Sequence, residues 1–297
     1  MDYQQKGRIA IVTGANSGLG YETTSELSKL NMKVIMACRN EDRAIKAKTK
    51  ILENNPAADL ETMIVDLASL SSVREFATEY KSNYSHLDVL INNAGIFYAP
   101  YSKTIDGFES HMGINYLGHF LLTSLLINHM PNTSESRIVS ISSSGHKFAR
   151  LNFKNLESGG KNYPAFAYFK SKLACLMFAG ELQRRLEKHD KKILSVAAHP
   201  GGVLTSVEET MPGPVYQILK RTIMPYITHP ISEAIKPILL AALGSDVQGG
   251  EYFGPQGFFE MRGEPGVASK SRLAKKEDIA KELWELSENL TGTKFFL

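Results

Sequence analysis

Two tyrosines in this chain stand four residues before a lysine, Tyr168/Lys172 and Tyr216/Lys220, and either pair could do acid–base chemistry. Residues four apart on a helix share a face, so the ammonium can lie beside the phenol. A free phenol has a pKa of ~10, and a neighbouring cation favours phenolate, moving the group toward the range where it gives or takes a proton. The spacing by itself says little. With 12 tyrosines in 297 residues, chance supplies about one such pair. Context separates the two. Tyr168 follows a β-branched run at 137–142 that ends among serines, and a second run at 192–198 follows its helix. Tyr216 lies in a stretch punctuated by Pro212, Pro214, Pro225 and Pro230, with no serine-bearing strand before it. Tyr168/Lys172 is therefore the expected catalytic pair and Tyr216/Lys220 a structural one. The pattern Ile-Val-Ser-Ile-Ser-Ser singles out Ser143, among Ser140, Ser142 and Ser144, as the hydroxyl that would hold a substrate oxygen.

A second candidate is Thr13-Gly14-Ala15-Asn16-Ser17-Gly18-Leu19-Gly20, between an apolar run and a helical pattern. Gly14 permits a tight turn, Gly18 lets backbone approach a pyrophosphate, and Gly20 lets the helix pack close to the sheet. Phosphates would then face the amides at the helix N-terminus. The spacing Gly-x-x-x-Gly-x-Gly differs from the Gly-x-Gly-x-x-Gly of most dinucleotide folds. No Lys-Ser/Thr follows the last glycine, which excludes a P-loop.

The elements that must position these groups alternate. Short apolar runs at 8–13, 33–38, 62–66, 87–92, 137–142 and 192–198 are separated by helical patterns, as in a parallel sheet wrapped by helices. Their near-continuous hydrophobicity suits strands covered on both faces. Leu19, Thr23, Leu27 and Leu30 mark the first helix, and 277–288 a last one with Trp284 on its buried face. The pattern predicts an α/β fold: one Rossmann-type, doubly wound parallel sheet with helices on both faces. A single domain spans 1–297, with an irregular segment at 206–230. Apolar residues at 43% and charged residues at 22% are ordinary globular composition. A net charge of +3 is too small to imply nucleic acid as a partner. Two cysteines, Cys38 and Cys175, exclude a disulfide framework and a Cys-rich zinc module. None of the eight histidines falls in a His-Glu-x-x-His pattern, and no metal site is expected. His199 reads as a packed core residue, and His146, three residues after Ser143, could touch substrate. No leader or membrane-spanning run is evident, so a cytoplasmic protein is expected.

Further motifs accompany the glycine loop: Asn92-Asn93-Ala94-Gly95, Asn115 in Asn-Tyr-Leu-Gly-His-Phe, Ser143, Tyr168/Lys172, and Pro200-Gly201-Gly202-Val203-Leu204-Thr205. In this order they resemble the short-chain dehydrogenase/reductase family, over essentially the whole chain. Ala37-Cys38-Arg39-Asn40 and the long serine-to-tyrosine gap are most similar to its retinol-dehydrogenase-like group. The resemblance implies hydride transfer between a nicotinamide cofactor and a carbonyl/alcohol pair, with Asn115, Ser143, Tyr168 and Lys172 catalytic. It gives Asn115 a water-linked proton relay and gives Lys172 a grip on the nicotinamide ribose. It places the cofactor against Gly14, Asn16, Ser17, Gly18, Leu19, Gly20, Arg39, Asp66, Leu67, Asn93, Ala94, Gly95, Tyr168, Lys172, Pro200, Gly201, Val203 and Thr205. Asp66 would meet the adenine. It also suggests a homodimer or homotetramer through the helices of Asn115 and Tyr168.

Cofactor choice is read from the second strand. A NAD site usually ends this strand with an acid for the ribose 2′-hydroxyl. Cys38-Arg39 stands there instead, and Glu41 and Asp42 come later, where they would start a helix. Arg39 suits a 2′-phosphate, with Asn16 or Ser17 adding hydrogen bonds, so NADP(H) is expected over NAD(H). Segments 145–167 and 206–230 should border the substrate, and they carry Phe148, Leu151, Phe153, Phe166, Tyr216, Ile218 and Met224. Such walls suit a hydrophobic carbonyl or alcohol, with 206–230 as a lid. A cofactor-binding sensor without turnover is the reading from another class, and a light-dependent reductase a third.

Overall fold

The apolar runs become neighbouring strands of one sheet. The computed structural model describes residues 5–150, 164–203 and 228–296. Thr205, the Tyr216/Lys220 pair, Leu151, Phe153 and the expected lid between 206 and 227 lie outside the described residues.

In chain order the elements are β1 (Ile9–Thr13), α1 (Gly18–Lys29), β2 (Lys33–Cys38), α2 (Glu41–Asn54), β3 (Leu60–Ile64), α3 (Leu70–Asn83) and β4 (Val89–Asn92). A π-helical turn, Met112–Leu117, runs into α4 (Gly118–Leu126), followed by β5 (Arg137–Ile141), α5 (Pro164–Lys188) and β6 (Leu194–Ala198). The chain closes with α6 (Ile231–Ala234), α7 (Lys236–Leu243), β7 (Tyr252–Pro255), β8 (Pro265–Val267) and α8 (Glu277–Thr291). Spatial order is β3-β2-β1-β4-β5-β6-β7-β8. Neighbours are parallel except β7 and β8, which pair antiparallel. The chain winds outward from β1 to β3, then returns to lay β4 on the other side of β1. That reversal opens a crevice beyond the C-terminal ends of β1 and β4, where α/β sheets bind ligands.

Two departures from the sequence reading have clear causes. The third strand begins at Leu60, not 62, because β3 is an edge strand and tolerates half-exposed Glu61 and Thr62. Strands β7 and β8 escape a hydrophobic count because each is short and contains both glycine and proline. Gly254 in β7 is required there, since a Cβ would sit 1.9 Å from Nε2 of His199.

The sheet buries both faces. One packs against α1, α2 and α7, with Leu27, Ile51 and Ile238 in its core. The other packs against α3, α4, α5 and α8, with Phe76, Phe120, Phe178 and Trp284. Trp284 of α8 stacks on Phe178 of α5 at 5.7 Å between ring centroids and meets Phe120 of α4 edge-on at 5.1 Å. The Arg185 guanidinium lies 4.3 Å from the indole centroid. These faces of α4 and α5, on the helices expected to meet a second subunit, are thus covered by the chain's own last helix. Trp284→Ala should remove this keystone and lower stability by ~3–5 kcal/mol in a urea titration.

Candidate active site

The glycine loop is held by its neighbours. Gly14 and Gly18 adopt φ of +68° and +54°, the left-handed region where a side chain is strained. A Cβ on Gly20 would lie 2.3 Å from the Gly14 carbonyl oxygen, so α1 can start this close to the turn only with glycine. Ser17 makes no side-chain capping bond, which leaves the first-turn amides of α1 without that partner. Across the crevice, the Thr13 hydroxyl oxygen accepts the Asn93 and Ala94 amides, both at 2.9 Å. Asn93 Nδ2 donates to the Thr13 carbonyl at 2.7 Å.

Beyond β5, Ser143 caps a short 3₁₀ turn, its Oγ accepting the Gly145 amide at 3.1 Å. Two of its neighbours are turned away from the cleft. The Ser142 hydroxyl donates to the Lys172 carbonyl at 2.7 Å, and Ser140 is buried. Tyr168 keeps partial exposure and shares a hydrogen bond with Ser143. Burial pushes its phenol up to about 12, against the downward pull of that bond. The lowering expected from Lys172 does not appear: burial is the largest influence, and the downward pull comes from Ser143. The Lys172 ammonium sits 5.8 Å from the phenol ring centroid and donates to the Ile141 carbonyl at 2.9 Å. Burial also pushes Lys172 below the usual lysine range.

Asn115 lies in the π-helical turn and braces the opposite wall. Its Oδ1 accepts the Ile96 amide at 2.8 Å, and its Nδ2 donates to the Ile96 carbonyl at 3.1 Å and to Ser171 Oγ at 2.9 Å. Its carbonyl accepts from His119 Nδ1 at 2.9 Å and from the Cys175 thiol at 3.2 Å. Cys175 is a buried core thiol. A Cβ on Gly95 would lie 3.0 Å from Asn115 Oδ1 and 3.5 Å from Lys172 Nζ, so glycine lets both side chains converge there.

Two adjoining cavities follow this wall. The first, about 320 Å³, is lined by Gly14, Asn16, Ser17, Gly18, Leu19, Gly20, Arg39, Asp66, Leu67, Asn93, Ala94 and Gly95. The second, about 470 Å³, is lined by Ser143, Tyr168, Lys172, Pro200, Gly201 and Val203. Both are bordered by Leu19, Asn93, Gly95 and Ile96, so they form one cleft over the crevice. Arg39 is exposed at the end of β2, while Glu41 and Asp42 occupy the first turn of α2. Asp66 spends one carboxylate oxygen on the Ala68 amide.

The Ser143–Tyr168 end of the cleft carries aromatic residues that the sequence does not single out. Phe97 packs edge-on against Tyr168 at 4.7 Å, and Tyr98 holds a left-handed φ of +50° beside it. Phe148 and Phe169 complete that wall, and Met261 closes it from the β7–β8 connection. The Met261 carbonyl accepts the Gly202 amide at 2.8 Å. No local pattern marks Tyr98 or Met261, because each depends on a distant turn.

Two histidines near the cleft serve as packed framework. His146 is buried, donating from Nδ1 to the Ser143 carbonyl at 2.7 Å and accepting the Ser271 amide on Nε2 at 3.1 Å. His199 is fully buried and accepts the Gly201 amide on Nδ1 at 3.3 Å. Among the described residues no group of three His, Cys, Asp or Glu side chains could hold a metal ion. Among them, too, no helix is long and apolar enough to cross a membrane.

The sequence profile of the short chain dehydrogenase family matches residues 8–213. With that match, the wound sheet and the motifs along its cleft, the chain belongs to the short-chain dehydrogenase/reductase family. Within it, the chain falls in the retinol-dehydrogenase-like group. It is 37% identical to retinol dehydrogenase 14 of Mus musculus, over 96% of this chain and 86% of that one. It is 42% identical to human polyprenol dehydrogenase over 67% of this chain and 62% of that one. A crystal structure from Mycobacterium paratuberculosis, 38% identical, superposes with a TM-score of 0.82 over 98% of this chain and 96% of the other. A Shigella flexneri short chain dehydrogenase complexed with NADP shares the fold at 22% identity, with a TM-score of 0.66 over 85% of this chain and 98% of that one.

Burial lowers His119 and His199 to about 4, so both are neutral in the fold. An unfolded histidine binds a proton near ~6.5, so below that pH the unfolded state holds more protons. Stability is complete above the unfolded value and is lost as pH falls through the window from ~6.5 to about 4, by up to ~1.4 kcal/mol per pH unit for each group. Thermal melts across this window should show His199→Phe with a shallower acid loss than the wild type.

Proposed function

We propose that this oxidoreductase moves hydride between NADP(H) and the carbonyl/alcohol pair of a hydrophobic substrate, with Tyr168 as general acid/base. The observation that carries the reading is the meeting of Tyr168, hydrogen-bonded to Ser143, with the buried Lys172 on one wall of the second cavity. The cofactor, when bound, supplies the hydride. Its fit rests on the left-handed Gly14 and Gly18, the close approach at Gly20 and the uncapped first turn of α1. Asn16, Ser17, Gly18, Leu19, Asn93, Ala94 and Gly95 would hold its phosphates and sugars, and Asp66 with Leu67 its adenine. Pro200, Gly201, Val203 and Thr205 would border the nicotinamide.

Ser143 would orient the substrate oxygen, and Tyr168 would protonate it as negative charge develops. A phenol held near 12 stands fully protonated at neutral pH, which suits the acid role in carbonyl reduction. Lys172 would bind the nicotinamide ribose with the donors that Ile141 does not take. Asn115 would hold the turn at Ile96 and contribute the proton relay that the family suggests. The hydrophobic substrate is supported by Phe97, Tyr98, Phe148, Phe169 and Met261 along the second cavity. Retinol and polyprenol, after which those relatives are named, are alcohols of that kind. A cytoplasmic enzyme and a small-molecule substrate without nucleic acid complete the proposal, with a lid at 206–230.

NADPH oxidation assayed over carbonyls of increasing chain length tests the reading. Activity should rise with apolar length, and Tyr168→Phe should abolish turnover while NADPH still binds. Cofactor binding without turnover on the whole panel would favour the sensor instead. Arg39 carries no ion pair among the described residues and lines the cavity near Asn16 and Ser17. Arg39→Ala should therefore weaken NADPH at least about tenfold and NADH little, since a charge-assisted fork to the 2′-phosphate is lost. Equal losses in KM for both cofactors would contradict the assignment.

A further inference from the structure

His119 is buried at 3% exposure in α4, and each ring nitrogen has one partner. Nδ1 lies 2.9 Å from the Asn115 carbonyl, and Nε2 lies 2.9 Å from Thr13 Oγ1. A carbonyl can only accept, so Nδ1 carries the hydrogen. In the neutral ring Nε2 is then an acceptor, and the Thr13 hydroxyl must donate to it. This accounts for the rest of the turn. With its one hydrogen directed at His119, rather than at the Ile91 carbonyl 3.3 Å away, Thr13 keeps both lone pairs for the Asn93 and Ala94 amides. Donors and acceptors match one to one.

A charged or inverted ring would break that match. An Nε2–H would face Thr13 Oγ1, whose lone pairs are already taken, and one of the two amides would lose its acceptor. Burial, with help from the Lys172 ammonium and against the Asn115 hydrogen bond, keeps the ring neutral. The same turn is held at its far end by Asn115, which bonds both the amide and the carbonyl of Ile96. His119 therefore joins the two anchors of the 93–96 turn, and the Cys175 thiol brings α5 to the same Asn115 carbonyl.

We propose that His119 is a positioning residue, a neutral two-ended bolt that sets the hydrogen-bond direction seating the Asn93–Ala94 turn on the glycine loop and ties that turn to Asn115. Its functional consequence rests on the proposed function, in which this turn supports the cofactor. His119→Phe keeps a flat ring of similar size but neither bond. His119→Gln keeps one donor and one acceptor at the end of the side chain.

The test combines NADPH titration calorimetry, steady-state kinetics and nitrogen NMR of the full chain. In the wild type, the His119 ring should report the neutral Nδ1–H tautomer, and the Asn93 and Ala94 amides should exchange slowly. His119→Phe should raise the Kd and KM for NADPH about tenfold, a hydrogen bond's worth, with a smaller fall in kcat. His119→Gln should recover most of that loss. Thr13→Val should be at least as impaired as His119→Phe, because it also removes the acceptor of both amides, and the double variant should be no worse than Thr13→Val. An Nε2–H or charged ring at neutral pH overturns the proposal, as does a folded His119→Phe that binds NADPH like the wild type. So does a Gln variant as impaired as Phe, or single losses that multiply in the double. If His119→Phe does not fold, the tautomer and amide exchange of the wild type decide. They also decide if the wild type binds no NADPH, a result that would defeat the functional reading by itself.

Discussion

An ammonium buried against the sheet needs at least one acceptor, and the site is arranged around that requirement at Lys172. The residue is 5% exposed, and its Nζ reaches the carbonyl of Ile141, the last residue of β5. That bond fixes the height of α5 against the sheet. Tyr168, one turn earlier on the same helix, is thereby set beside Ser143, which the chain delivers two residues beyond β5. The Ser142 hydroxyl repeats the tie by donating to the Lys172 carbonyl. Gly95 borders Lys172 from the other side, where a Cβ would crowd Asn115 Oδ1 at 3.0 Å and lie in contact with Nζ at 3.5 Å. The position of the buried charge thus carries the serine, the tyrosine and the asparagine with it.

What could be read from the sequence is what neighbouring residues decide. The glycine loop, the β2 end with Arg39, and the order of six strands all follow from local turn chemistry and hydrophobic runs. Glu41 and Asp42 open α2 as their position implied, because acids favour a helix N-terminus. The features that escaped depend on distant contacts. Met261 reaches the cavity from the connection after β7, a strand whose Gly-Pro ending hides it, and β7 exists because β6 offers it an edge. Tyr98 follows Ile96-Phe97 with nothing to announce its left-handed backbone. The acidity of Tyr168 runs opposite to what the sequence spacing implies, for a related reason. Sequence spacing reveals the nearby cation, but the depth of burial is a property of the packed fold, and burial is the larger effect here.

The buried histidines show why a residue suited to catalysis or metal binding serves here as framework. A neutral imidazole offers one donor and one acceptor on opposite sides of a rigid ring. It can therefore join two backbone segments of opposite polarity without introducing a charge. His146 does this between the Ser143 carbonyl and the Ser271 amide, fixing the turn at Ser143 to the chain beyond β8. His119 does it between the Asn115 carbonyl and the Thr13 hydroxyl. His199 accepts the Gly201 amide on one nitrogen and turns the other toward Glu260, 3.7 Å away, over a strand residue that must be glycine. A serine or amide at these places would have to choose its partners from one end of a short side chain. A lysine or carboxylate would bring a charge that the interior would have to compensate. The surroundings that keep these rings neutral also withdraw both nitrogens from solvent, so the residues that hold the cleft's shape are poorly placed to trade protons with what it binds.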